Sequence, residues 1–180
     1  RASAEETGDR GLKREAEMTR AEMTRAEERS LHAPARVDRD RSVLLIVDLQ
    51  QQLVPTIAGH AEVIARSDAL LAVARRFRVP SLLTEHCADR IGPVIAPLRE
   101  RFEPREIFAK THFAATDHPE FERRLREHDR GQVVVAGIEA HVCVLQTSLG
   151  LLARGFDVFV AGDAVGSRAT RQADRQYALE

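Results

Sequence analysis

Cysteine is scarce in this chain: Cys87 and Cys143 are the only two among 180 residues. Two thiols do not make a disulfide framework, so each is read as reduced and judged on its own surroundings. Aromatic side chains are equally sparse, with no Trp and a single Tyr, and the formal net charge is only −1, from 27 basic against 28 acidic residues. With no basic excess, no Trp and one Tyr, neither a nucleic-acid footprint nor a set of stacking aromatics stands out. No apolar run approaches the roughly 18 to 20 residues of a membrane span, and the first thirty residues read carry no apolar secretory segment. The expectation is a cytoplasmic protein that binds neither membrane nor nucleic acid. What is present is ordinary: 43% apolar and 31% charged residues, enough for one domain with a sizeable core.

The first forty residues differ from the rest. They are dense in Arg and Glu and carry the tandem repeat AEMTR-AEMTR at 16–25. Without an apolar stripe they read as a charged tail (1–40), disordered or loosely helical. From residue 41 short apolar runs alternate with amphipathic segments, the pattern of an α/β domain with a parallel sheet. Strands are predicted at SVLLIVDLQ (42–50), VPSLLTEH (79–86), QVVVAG (132–137) and DVFVAGDAV (157–165), with EIFAKTHF (106–113) a third strand or a strand-like entry to a loop. Helices are predicted at about 57–78, 117–129 with Pro119 in its first turn, and 142–154 closed by Gly155; a last amphipathic segment covers 168–179.

Ligands of an open parallel sheet bind beyond the carboxyl ends of its strands, so polar residues there are the ones to weigh. Asp48 closes the first strand, Lys110 ends the third, and Cys143 opens the helix after the fourth. Singly each has a plain structural role: a cap, a solvated charge, a core thiol. Together they make a nucleophilic site. A thiol in the first turn of a helix, near an ammonium, is expected to have a lowered pKa, and a carboxylate beside both can carry its proton. The turn GIEAH before Cys143 can aim backbone N–H groups at a developing oxyanion.

The motifs LLIVDLQ, TE (84–85), AKTHFAA (109–115) and VVVAGIEAHVCVLQTSLGLLARGFDVFVAGDAVGSR (133–168) resemble the isochorismatase-like cysteine hydrolases, in particular small members carrying IEAHVC. The resemblance spans about 41–170. It implies a three-layer, doubly wound, mainly parallel sheet with helices on both faces and a homo-oligomeric amidase-type hydrolase acting on a small-molecule substrate. It implies a catalytic triad of Asp48, Lys110 and Cys143, a cis peptide between Ile138 and Glu139, and an oxyanion hole from the N–H groups of Glu139 and Cys143. Gln50, His112 and Phe113 are candidate pocket residues, Gln50 serving either a substrate or a loop carbonyl. The Asp-x-His pair that holds a metal in nicotinamidases has no match. His86, His112 and His141 lie near strand ends without ligand spacing, so no metal or cofactor is expected. Cys87 reads as a bystander thiol.

Two departures from the family stand out. Its members usually run some thirty residues past the position of Tyr177, so the domain (41–180) reads as truncated at the C-terminus, and they usually lack a charged tail. Two other readings therefore stand beside the hydrolase: a non-catalytic scaffold of the same fold, and a redox-sensing thiol protein with Cys87 as resolving partner.

Overall fold

The unbroken apolar run after Ser42 forms the centre of the sheet. In the computed structural model, which describes residues 36–180, β1 spans Ser42–Val47 and all six of its residues are buried. A strand buried on both faces belongs in a parallel sheet covered by helices on each side. The tandem repeat and most of the predicted tail lie outside the described residues. Val37–Glu180 form one compact unit.

The other strands are β2 (Ser81–His86), β3 (Ile107–Lys110), β4 (Gln132–Ile138) and β5 (Asp157–Gly166). Their order is β3-β2-β1-β4-β5, and every pairing is parallel. Alternation along β1 sorts the core into two layers. Val43, Leu45 and Val47 join Leu82, Phe108, Val133, Phe121, Leu125, Val144 and Leu151 on one face. Leu44 and Ile46 join Leu83, Val63, Leu71, Leu98 and Phe102 on the other. The expected three-layer α/β fold is what the chain adopts.

The longer helices are α1 (His60–Arg76), α2 (Pro119–Arg126), α3 (Leu145–Leu152) and α4 (Gln172–Leu179), and two four-residue helices, Ala88–Ile91 and Ala96–Arg99, lie in the connection after β2. Several boundaries differ from the sequence expectation. The first helix starts at His60 rather than 57, because Val54–Thr56 form a separate 3-10 turn and Gly59 caps α1 in the left-handed region (φ 66). The third strand is four residues rather than eight; residues beyond Lys110 turn away from the sheet. In α2, Pro119 occupies the first turn and His118 is the cap, its ring accepting a hydrogen bond from the Glu120 N–H. The segment before α3 is a π-helical turn, Ala140–Val144.

The strand order reverses between β1 and β4, so loops after those two strands depart to opposite sides and leave a crevice at their carboxyl ends. Close approach of these strands depends on Gly137. Its φ is 118, and a Cβ there would sit 2.0 Å from the carbonyl oxygen of Val47.

Candidate active site

Asp48 follows directly on β1, in the left-handed region (φ 51), with no exposed surface. Burying a carboxylate demands partners. One oxygen accepts a hydrogen bond from the Thr84 hydroxyl (2.6 Å), and the other pairs with Lys110 Nζ (2.6 Å), both side chains of that pair being fully buried. Lys110 Nζ also donates to the His112 carbonyl (3.2 Å). The site is thus organised by a desolvated ion pair joining the ends of β1 and β3, with Thr84 of β2 between them.

Cys143 lies in the π-helical turn, 6% exposed, and its thiol interacts with both Asp48 and Lys110. The structure therefore brings Asp48, Lys110 and Cys143 to one point. The electrostatics of the thiol run against the sequence expectation. Its pKa is not lowered but pushed up to about 12, by burial first and by the Asp48 carboxylate next, with Lys110 opposing. The helix amides and one ammonium do not outweigh desolvation when the ammonium is already matched by a buried carboxylate. At neutral pH the resting thiol keeps its proton.

The peptide bond Ile138–Glu139 is cis. The Glu139 carbonyl accepts from the N–H groups of Val142 (3.1 Å) and Val144 (3.2 Å), while its carboxylate pairs with Arg168 (3.2 Å) and leaves the crevice. His141 meets the Ser167 hydroxyl at 3.0 Å.

The three candidate pocket residues fare differently. Gln50 is fully buried, and its amide is spent on backbone: Nε2 donates to the carbonyls of His86 (2.9 Å) and Gly92 (2.6 Å), and Oε1 accepts from the His86 N–H (2.8 Å). Of its two readings the geometry favours the loop clamp over a substrate ligand. His112 contributes its carbonyl to Lys110 while its side chain is exposed. Phe113 is 56% exposed and its ring lies 5.4 Å from that of His86. Cys87 is half-buried and free.

Thr84, Glu85 and His86 carry roles that sequence reasoning did not assign. Glu85 is buried and its Oε1 accepts from the Val94 N–H (3.0 Å) and from Arg99 (2.9 Å), fixing the loop after β2. The signal was alternation along TEH: two of the three side chains share the face of Leu82, and the middle one faces the opposite layer. Among the described residues no cluster of three or more His, Cys, Asp or Glu side chains is placed to hold a metal. No helix among them is long and apolar enough to cross a membrane.

Comparison with known proteins bears on this geometry. The model of the isochorismatase domain matches residues 42–180. The chain belongs to the isochorismatase family. Isochorismatase domain-containing protein 2 of Danio rerio is 34% identical over 145 residues, covering 80% of this chain and 71% of that protein. Among solved structures, the MAR1 ribonuclease of Caenorhabditis elegans is 38% identical with a TM-score of 0.73, covering 81% of this chain and 73% of the other. The YcaC gene product of Escherichia coli, described as an octameric hydrolase of unknown specificity, is 27% identical with a TM-score of 0.76, covering 81% and 72%. The two solved structures share the fold of this chain.

Proposed function

We propose that this family member is a cysteine hydrolase that cleaves a C–N bond of a small amide through a thioester on Cys143. The observation that carries this reading is the thiol interacting with a buried Asp48–Lys110 pair. A charged pair sealed from water is costly, a cost that a fold tolerates more readily at a functional site, and the charges of this pair act on the buried Cys143 thiol.

In the mechanism, Asp48 accepts the Cys143 proton as sulfur attacks the substrate carbonyl carbon. This answers the raised thiol pKa: no standing thiolate is needed, because proton and bond move together once an electrophile is in place. The N–H groups of Glu139 and Cys143 receive the oxyanion. As the C–N bond breaks, Asp48 returns the proton to the departing amine. Water then attacks the thioester, Asp48 takes its proton, and the carboxylic acid leaves as the thiol is restored. Lys110 holds Asp48 in place and balances its charge throughout. The reduced thiols fit a cytoplasmic setting, and the octameric relative supports a homo-oligomer.

The test is a panel of small amides assayed for turnover, with intact-protein mass spectrometry. Turnover should fall by at least about a thousandfold in Cys143→Ala with the fold retained, and an acyl adduct should map to Cys143 in the wild type. Failure of every amide, with no adduct, rejects the reading. An RNA substrate belongs in the panel because of the Caenorhabditis relative's name; a net charge of −1 favours the small amide.

A further inference from the structure

The polar groups around Cys143 are almost all donors or already hold one. The Glu139 and Cys143 amides and the Lys110 ammonium donate. Asp48 accepts from Thr84 and Lys110, Gln50 Oε1 from His86, and the His112 carbonyl from Lys110. An amide substrate with an N–H brings a donor of its own, and that donor needs an acceptor.

His86 has the placement to supply it. It pairs in register with Lys110 across β2 and β3. Alternation along β2 from Leu82 through Thr84 puts it on the layer that contains Cys143. Its Nδ1 is buried and has no hydrogen-bond partner, a deficit that ordinarily costs a protein about 1–3 kcal/mol. Phe113, half-exposed on the loop after β3, lies against the ring and covers the side of the imidazole that a substrate body would approach. Burial and the neighbouring Lys110 ammonium both lower the His86 pKa, which keeps the ring neutral and one lone pair available.

We propose that His86 Nδ1 is a specificity-determining acceptor that recognises the N–H of a small primary or secondary amide, with Phe113 moving aside to let the substrate body take its place against the imidazole. The proposal rests on Cys143 as the nucleophile of the hydrolase described above, and it narrows the substrate class to amides that keep an N–H over fully N-alkylated ones.

The experiment uses covalent probes, so that it does not depend on turnover. Cys143 alkylation by iodoacetamide and by its N,N-dimethyl analogue is followed by intact mass over a range of reagent concentration, giving for each a half-saturating concentration and a maximal rate. The wild type should half-saturate at about tenfold lower concentration with iodoacetamide. His86→Leu should erase that preference, and His86→Asn, which restores an acceptor near the position of Nδ1, should recover much of it. Equal half-saturation of the two reagents in the wild type overturns the proposal. So does a His86→Leu variant that slows both reagents alike with the preference intact, the mark of a merely structural role, and so does a Cys143 that neither reagent reaches. Absence of amide turnover would sink the hydrolase reading while this comparison still decides the role of His86.

Discussion

Asp48 and Lys110 pull the Cys143 proton in opposite directions. Burial and the carboxylate raise the thiol pKa to about 12 and the ammonium lowers it, so removing the carboxylate charge should release the thiolate while removing the base of the proposed mechanism. Asp48→Asn is therefore expected to move thiolate formation to lower pH, read as ultraviolet thiolate absorbance against a Cys143→Ala blank, and yet to cut amide turnover by about 10²–10⁴-fold. The sign follows from the raised value: the wild-type thiol stays protonated through the neutral range and ionises only in strong alkali, whereas the variant retains only burial against Lys110. A variant thiol that ionises at higher pH than the wild type would contradict this account of the site. Because Asn also leaves Lys110 without its counter-charge, Thr84→Val provides a gentler check. It deletes one hydrogen bond to Asp48 (2.6 Å) with the ion pair kept, and should lower turnover with little change in thiolate titration.

At the scale of elements, the contact between β1 and β4 decides whether the site forms. Val47 and Gly137 are register partners, and Asp48 is the next residue after Val47. A Cβ at 137 would be 2.0 Å from the Val47 carbonyl oxygen, on a backbone with φ 118 that L side chains rarely adopt. Gly137→Ala must therefore push the two central strands apart or distort the one that delivers Asp48. The expected cost is about 3 kcal/mol or more, seen in thermal melts as a fall in Tm on the order of 10 °C. A variant melting with the wild type would show that β4 has slack there. The strands themselves were legible because runs such as Val43–Val47 and Val133–Ala136 have no polar break, which only a strand covered on both faces tolerates. Segment ends were less legible. The turn into α1 depends on a left-handed Gly59, and the π-helical turn at Ala140–Val144 on how the chain leaves β4; neither leaves a mark in hydrophobic period.

The whole molecule explains why residues 62 positions apart in sequence form one ion pair: a parallel sheet collects every strand's carboxyl end on one edge, and the reversal beside β1 opens that edge. Asp48, Lys110 and Cys143 could be picked out as polar residues at the ends of apolar runs. The thiol's protonation could not, since it depends on burial that only the assembled layers create, and His86 and Thr84 acquired meaning only through strand register. The same assembled surface leaves Val73 of α1, Phe77 at its C-terminal cap, Leu149 and Leu152 of α3 and Tyr177 of α4 more than half exposed. Single exposed apolar side chains are ordinary, but several of them on helices that flank one sheet favour association. The homo-oligomer proposed above predicts that light scattering coupled to size exclusion gives a multiple of the 20.1 kDa chain. Charge placed on either helical face, as Phe77→Glu or Leu152→Glu, should lower that mass if the face is an interface, without changing the alkylation kinetics of Cys143, since Asp48 and Lys110 belong to the same chain. A monomer at micromolar concentration would reject the oligomer, and a loss of thiol reactivity on dissociation would show instead that a second subunit completes the crevice.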